Sequence, residues 1–333
     1  MDRIIQQTDN DAFSSKICAI ECKYLPPPQD ALLDARGNKD IQELYRGFAE
    51  MHNEYYAQLK EESRNVYGRI RRMTRNPFPV MNYGTYLRTL AIDTTALKFI
   101  EGIPQGTEFQ IVNLGCGSDL RSSQYLGAFP SLKRFVDIDF TDAIELKRRI
   151  LDRPGPLHTL TEQFGDRYVI FEGDLRELKG TMEKLQSVLD PALPTVFITE
   201  CVLCYMTDND SQQLITTIME TFSKAMWVSY DPIGGSAPGD RFGTIMKQNL
   251  MDSRNLDMPT LLQYNSKDNF ATRWENCKTV KSEVNVRDMW DFLESSITTK
   301  EKGRLRSLQF LDEIEELRVM QSHYVILSVT WGC

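Results

Sequence analysis

The chain has 333 residues, of which 41% are hydrophobic and 26% are charged, and its formal net charge at pH 7 is −8. This length accommodates one large α/β domain with additions or two smaller domains. The acidic balance argues against a nucleic-acid partner held mainly through phosphate contacts. No apolar run reaches 18 residues, so we expect no membrane span and no membrane partner. We expect a cytoplasmic protein, with the nucleus as the second candidate.

Cysteine and histidine usage argues against a metal centre. Seven cysteines, an odd number spread over a long chain, favour reduced thiols over a disulfide framework. Cys201 and Cys204 are spaced for metal or redox use, but they lie in an apolar stretch with no second pair at zinc spacing, so inert buried thiols are the preferred interpretation. The three histidines are far apart in the sequence, so we expect neither a metal site nor a catalytic triad.

The first hundred residues are predicted to be mainly helical. A short helix near residues 9–20 is followed by an extended connector around the triple proline at 26–28. A long polar helix is predicted over residues 39–73 from the spacing of its apolar residues. A second helix over residues 83–100 carries Arg88.

The predicted helix over residues 39–73 ends in a cluster of basic residues. Such a cluster in an acidic protein could face an acidic partner, although a solvated helix face is the preferred interpretation. The members of the cluster are Arg64, Arg69, Arg71, Arg72 and Arg75.

Residues 110–119, QIVNLGCGSD, are predicted to form a buried strand that opens into a nucleotide-binding turn. Gly115 and Gly117 would let a ligand approach the backbone, and Asp139, 24 residues after Gly115, could accept both hydroxyls of a ribose. A dinucleotide fingerprint would have a third glycine where Leu120 stands. The pattern resembles the core of S-adenosylmethionine (SAM) methyltransferases, and the alternative is a tight strand-to-helix turn without a ligand.

Strand-like and helical segments alternate after residue 110, which predicts an α/β fold with a doubly wound, mostly parallel sheet. The predicted strands are 110–114, 133–138, 168–171, 195–203 and 225–230. The predicted helices between them are 141–151, 179–189 and 211–222. Acids follow or end these strands and should converge on one crevice, although each acid alone could be a helix N-cap. They are Asp137, Asp139, Asp174, Glu200 and Asp231.

The last hundred residues begin with a loop rich in glycine and proline at 232–243, and such loops usually determine substrate choice. An amphipathic helix at 242–251, a strand at 273–284, helices at 286–296 and 310–320 and a strand at 323–331 are predicted to follow. They would complete a sheet of about seven strands. We therefore expect an N-terminal helical lid that covers the cofactor at 1–105 and a core at 106–333, with a substrate-binding insertion at about 232–275.

Motifs along nearly the whole chain resemble one family. FPVMNYGTYLRT, QIVNLGCGSDLR, VDIDF, GDLR, TECVLCYM, DPIGGS, GDRFG and RSLQFLDEIEEL together are similar to the leucine carboxyl methyltransferase that acts on the catalytic subunit of type 2A protein phosphatases. The fungal members look most similar, and agreement is weakest around residues 25–75. A longer relative that acts on a tRNA guanosine carries a propeller domain, for which this chain has no room.

The resemblance implies a function and a set of site residues. The function is SAM-dependent methylation of the α-carboxylate of the phosphatase's C-terminal leucine, which would regulate assembly of the phosphatase holoenzyme. The implied SAM-binding residues are Lys16, Arg88, Gly115, Asp139, Asp174, Leu175 and Glu200. Tyr205 and Arg241 are candidates for contact with the acceptor, and Arg88 and Tyr205 are the candidate catalytic residues.

The chemistry of these side chains agrees with the implied roles. Asp139 can bind the ribose, Asp174 can accept from the adenine amino group beside the Leu175 N–H, and Arg88 can pair with the methionine carboxylate. A terminal carboxylate has a pKa of roughly 3.3–3.7 and needs no general base. We expect a monomer. The alternatives are methyl transfer to another carboxylate or small molecule, and a non-catalytic module that binds SAM or a phosphatase.

Overall fold

The computed structural model describes every residue except Met1, Asn76, Glu313 and Cys333. Its strands form a seven-stranded sheet, and most of its helices pack against the two faces of that sheet. The strands are β1 (Phe109–Leu114), β2 (Leu132–Asp139), β3 (Tyr168–Glu172), β4 (Thr195–Glu200), β5 (Ala225–Pro232), β6 (Ser282–Asp288) and β7 (Tyr324–Trp331).

Within the described ranges, five helices precede the sheet and ten are interleaved with its strands. The first five are α1 (Asp2–Glu21), α2 (Ala35–Leu44), α3 (Phe48–Glu62), α4 (Arg64–Thr74) and α5 (Pro79–Glu101). The next five are α6 (Arg121–Ala128), α7 (Thr141–Leu151), α8 (Pro156–Phe164), α9 (Leu178–Val188) and α10 (Asp208–Thr221). The last five are α11 (Phe242–Arg254), α12 (Lys267–Glu275), α13 (Met289–Ser296), α14 (Thr299–Leu308) and α15 (Ile314–Ser322).

The order of the strands across the sheet is β3-β2-β1-β4-β5-β7-β6. Neighbours among β1 to β5 are parallel, whereas β7 runs antiparallel to both β5 and β6. The predicted doubly wound, mostly parallel, seven-stranded sheet is confirmed. In such a sheet, ligands bind outside the carboxyl ends of the strands, near the point where the strand order reverses.

The apolar residues of the central strands explain why helices cover both faces. Ile111 of β1 packs into one core with residues of α2, α5 and α13, and its neighbour Val112 packs into a second core with residues of α9, α10 and α12. Successive side chains of a strand point to opposite faces. Central parallel strands with apolar side chains on both faces therefore need a helical layer on each side.

The prediction of one helix over residues 39–73 is wrong, since this stretch folds into parts of α2, α3 and α4. Gly47, between α2 and α3, has a φ of 69°, a conformation that glycine adopts readily. Ser63, between α3 and α4, has a φ of −152° and a ψ of 89°. The two breaks turn α3 and α4 back toward α1, where Tyr55, Leu59 and Ile70 pack against Phe13 in a third core.

Several other boundaries differ from the predictions. The predicted strand at 273–284 is wrong in its first part, because residues 273–275 end α12 and β6 begins at Ser282. The predicted strand at 195–203 ends at Glu200, and α1 starts earlier than residue 9. The short helices α6, α8, α12 and α14 were not predicted. No helix in the described part of the chain is both long and apolar enough to cross a membrane.

Candidate functional site

A cavity of about 460 Å³ lies at the carboxyl ends of the parallel strands. Its size falls within the range of small-molecule and cofactor sites. Residues of α1, α5, α11 and α15 line the cavity together with the turns that follow β1 to β5. The sequence-predicted residues that line it are Lys16, Arg88, Gly115, Asp139, Asp174, Leu175, Glu200 and Tyr205.

The strand order arranges these residues in a row across the cavity. Asp174 follows β3, Asp139 ends β2, Gly115 follows β1 and Glu200 ends β4. Tyr230 of β5 and Tyr324 of β7 continue the row, with their rings stacked 5.5 Å apart. The acids therefore stand at one end of the cavity and aromatic rings at the other.

The turn after β1 requires glycine for two reasons. Gly115 has a φ of 72° and Gly117 a φ of 45°, so both adopt the left-handed conformation that side chains disfavour. A Cβ on Gly115 would lie 2.7 Å from Val202 Cγ2, and one on Gly117 would lie 2.3 Å from Asp9 Oδ1. The predicted ligand-binding turn is thus closely enclosed by the residues around it.

Asp139 is held beside this turn by two backbone donors. Gly117 N donates to Asp139 Oδ2 at 2.7 Å, and Phe140 N donates to Oδ1 at 2.7 Å. Burial nevertheless raises the pKa of Asp139 to about 6, because desolvation outweighs these hydrogen bonds. Further donors from a bound ligand would stabilise the ionised form.

Asp174 already has a cationic partner. Arg176 donates to both of its carboxylate oxygens at distances of 2.5 to 3.1 Å. Burial opposes ionisation of Asp174, but the hydrogen bonds from Arg176 outweigh it and lower the pKa of the carboxyl. A ligand that reaches Asp174 must therefore share this carboxylate with Arg176.

A buried ionic cluster centred on Arg121 forms the floor between the strand ends. The Arg121 guanidinium pairs with Asp93 at 2.7 Å, Asp119 at 2.9 Å and Glu200 at 2.6 Å. Lys16 of α1 pairs with Asp119 at 3.1 Å. Desolvation would raise the pKa of Glu200, but Arg121 and then Arg88 outweigh it and lower this pKa to about 2.

Arg88 has hydrogen-bonding capacity that the described part of the protein does not use. Its Nε lies 2.9 Å from Glu200 Oε1, and its guanidinium carbon lies 5.8 Å from the centre of the Tyr230 ring. Its Nη2 is buried and has no hydrogen-bond partner among the described residues. Because a buried donor is normally paired, this atom fits an anionic ligand group in the cavity.

Helix α1 contributes Asp9, a site residue that sequence reasoning missed. Its carboxylate accepts hydrogen bonds from Ser118 N at 2.8 Å and from Ser118 Oγ at 2.7 Å. Asp11, two residues later, forms an ion pair with Arg254 of α11. Helix α1 therefore contacts both the glycine turn and the segment predicted as the substrate-binding insertion.

Tyr205 and Arg241, the predicted acceptor contacts, occupy different positions. Tyr205 lies on the short 3-10 turn Leu203–Tyr205 after β4 and lines the cavity. Burial raises its pKa well above the usual value, so its phenol stays a hydrogen-bond donor. Arg241 is exposed, precedes α11 and is not among the residues that line the cavity. Its contact with the acceptor stays a prediction.

Apolar side chains from α5 and from the segment around α11 also line the cavity. They are Val80, Met81, Met246, Leu250, Leu256 and Met258. None of the three histidines lines the cavity, and the described residues contain no cluster of three or more His, Cys, Asp or Glu side chains that could hold a metal ion. Burial raises the pKa of Cys201 to about 12, as suits an inert thiol.

The sheet order, the glycine turn and the acids at successive strand ends define a methyltransferase fold. A crystal structure from Thermobifida fusca YX, described as that of a candidate methyltransferase, aligns with a TM-score of 0.51. It covers 83% of this chain and 92% of that one at 10% sequence identity, a level at which the likeness concerns the fold alone.

The sequence comparisons identify the family. The family model for leucine carboxyl methyltransferase matches residues 29–219. A leucine carboxyl methyltransferase 1 from Eremothecium gossypii is 40% identical over 99% of this chain and 100% of its own length, and one from Kluyveromyces lactis is 39% identical over 99% of both. The chain therefore belongs to the leucine carboxyl methyltransferase family, and it is a protein carboxyl methyltransferase.

Proposed function

We propose that the protein transfers a methyl group from SAM to the α-carboxylate of the C-terminal leucine of the type 2A protein phosphatase catalytic subunit. The observation that carries this proposal is the buried Nη2 of Arg88, which has no partner among the described residues and belongs to a guanidinium near Glu200 and Tyr230 at the cavity. A guanidinium in this position neutralises a carboxylate where methyl donor and acceptor meet.

The residues at the acidic end of the cavity fit SAM. Asp174 and Leu175 would hold the adenine, Asp139 the ribose hydroxyls, and the turn at Gly115 would lie against the cofactor. Lys16 and Glu200 would surround the amino-acid part, where a cation and an anion are both needed, and Arg88 would lie between this part and the acceptor carboxylate. When bound, SAM supplies an electrophilic methyl group.

The opposite end of the cavity fits a C-terminal leucine. The apolar side chains there, among them Met246, Leu250 and Met258, can pack around an isobutyl group, and methionines adapt readily to the shape of a ligand. Tyr205 supplies a phenol that can donate a hydrogen bond to the acceptor carboxylate. Donors that hold one carboxylate oxygen leave the other free to attack.

The transfer needs no general base. The acceptor carboxylate is ionised at neutral pH, and the chain places no histidine along the cavity wall. The protein's contribution is therefore to align the two reactants and to exclude water, effects worth roughly 7–11 kcal/mol in well-oriented reactions. Hydrogen bonds and ion pairs to the attacking oxygen must not be too strong. They would stabilise the ground state more than the transition state, in which the charge of this oxygen is being lost.

Transfer of labelled methyl from SAM to the purified phosphatase catalytic subunit tests this function. We expect the label on the C-terminal leucine by mass spectrometry, and no label on a subunit whose terminal carboxyl is amidated. Label elsewhere, or on the amidated form, would contradict the proposal. Transfer to a small molecule alone would favour the alternative of a small-molecule O-methyltransferase.

We further propose that the enzyme acts as a monomer in the cytoplasm, with the nucleus as a second location. Methylation removes the negative charge of the phosphatase C-terminus. Subunits that bind this terminus would then distinguish the two forms, so the enzyme would regulate holoenzyme assembly. Sedimentation of the complex between enzyme and catalytic subunit, with and without SAM, measures its stoichiometry directly.

A further inference from the structure

Gln321 of α15 carries a buried polar atom that has no role in the proposed methyl transfer. The residue is among those that line the cavity and is only 3% exposed. Its Oε1 has no hydrogen-bond partner within the described part of the protein. Buried acceptors are nearly always paired, so this oxygen is suited to an N–H group of a ligand.

Gln321 lies on the acceptor side of the cavity. It precedes by three residues Tyr324, which opens β7, two strands beyond Glu200 in the sheet order. A Cβ on Gly84 of α5 would lie 3.1 Å from Gln321 Nε2, so the amide sits against α5 one helical turn before Arg88. The acids proposed to hold the cofactor end or follow β2 and β3, on the opposite side.

Among the described residues, Arg88 of α5 thus carries a buried donor without a partner and Gln321, which lies against α5, carries a buried acceptor without a partner, and both residues line the cavity. A C-terminal residue in a peptide presents the complementary pair, since its carboxylate accepts and its backbone N–H donates from the same Cα. Resting on the proposed function, we propose that Gln321 Oε1 accepts the backbone N–H of the acceptor's terminal leucine. Gln321 is then a specificity residue for a peptide-linked C-terminus.

The kinetic consequence is specific. The N–H is not part of the reacting carboxylate, so the hydrogen bond has similar strength before and during transfer. An interaction that is equal in the ground state and the transition state lowers KM and leaves kcat unchanged. Loss of the bond should therefore appear in KM.

The experiment removes the donor N–H from the substrate and the hydrogen-bond acceptor, Gln321 Oε1, from the enzyme. The phosphatase catalytic subunit is completed by peptide ligation, either with its natural terminal amide bond or with an ester that replaces the terminal N–H by oxygen. With the wild-type enzyme, the ester form should show about tenfold lower kcat/KM, mainly through KM.

Gln321→Met keeps the length of the side chain but cannot accept the N–H. It should lose about tenfold in kcat/KM with the amide form and show no further loss with the ester form. Gln213→Met, on the exposed surface of α10, is the matched control and should keep the full difference between the two substrates. Calorimetry should give Gln321→Met an unchanged affinity for SAM.

Equal kcat/KM for amide and ester in the wild type would overturn the inference, and this comparison decides the matter even if the variant fails to fold. A difference that persists undiminished in Gln321→Met, or an altered SAM affinity there, would overturn it as well. The proposed function has its own separate outcome, because it fails only if the natural amide form receives no methyl group on its terminal carboxyl.

Discussion

At the scale of single residues, Asp139 has the most informative environment. It is buried, accepts two backbone hydrogen bonds and still has a pKa raised to about 6. In the unfolded chain its pKa is lower, so ionisation of Asp139 between about pH 4 and pH 6 costs the ligand-free protein stability. A ligand that donates hydrogen bonds to the ionised carboxylate recovers this cost.

We therefore predict that the affinity for SAM increases as the pH rises from 5 to 7, and that Asp139→Asn abolishes this increase. Because the variant removes a desolvated charge, it should also raise the free energy of unfolding of the ligand-free protein relative to the wild type. This gain should be about 1–2 kcal/mol larger at pH 8 than at pH 5. Calorimetry and denaturant unfolding at both pH values measure the two effects. A wild-type affinity independent of pH would show that Asp139 does not bind the cofactor.

A second prediction concerns the geometry of the hydrogen-bond donors on Arg88. Arg88→Lys should reduce kcat/KM by about tenfold to hundredfold, since an ammonium group cannot reproduce the planar fork of donors that pairs with Glu200 and that we propose to pair with a ligand carboxylate. Arg318→Lys, at an exposed position of α15, is the matched control. Near-normal kinetics in Arg88→Lys would mean that charge alone matters at this position.

Some of these residues could be predicted from the sequence and others could not, for a physical reason. Asp139 and Glu200 end strands that their own apolar patterns predict, so their convergence follows from the rules of parallel sheets. Asp9 reaches the glycine turn only because α1 packs across it, and the two partners are 109 residues apart in the chain. Arg121, which is buried and pairs with three carboxylates, was not identified from the sequence, because its partners Asp93 and Glu200 come from distant segments of the chain.

At the scale of elements, the breaks between α2, α3 and α4 show the limit of periodicity. Residues 39–73 keep helical spacing of their apolar side chains, yet Gly47 adopts a left-handed conformation and turns the chain. A pattern of hydrophobic residues cannot show whether a glycine is tolerated within a helix or ends it. The packing of α1, α3 and α4 in one core determines that the chain breaks at Gly47.

Gly47 and Gly68 form a matched pair that tests this interpretation. A Cβ at either position would meet nothing within 4 Å, but Gly47 has a φ of 69° whereas Gly68 lies inside α4. Gly47→Ala should lower the free energy of unfolding by about 1–2 kcal/mol, from backbone strain alone. Gly68→Ala should raise it by about 0.5–1 kcal/mol. Denaturant unfolding that gave both variants the same sign would contradict the assigned break.

At the scale of the whole molecule, binding and chemistry should respond differently to pH. Since no histidine lines the cavity and the acceptor is already ionised, we predict that kcat at saturating substrates is nearly constant between about pH 6 and 9. Replacement of His52, which is buried, should affect stability and leave this profile flat. A tenfold rise of kcat per pH unit that a single histidine substitution removed would establish a general base.

The position of α1 also bears on how fast the enzyme can exchange its cofactor. One helix near the N-terminus holds the glycine turn through Asp9, the ionic cluster through Lys16 and α11 through Asp11. We expect a molecule bound in the cavity to leave mainly when these contacts of α1 open. Salt screens mainly the more exposed Asp11–Arg254 ion pair. We therefore predict that the demethylated product dissociates more quickly as ionic strength rises, because local opening of α1 then becomes easier.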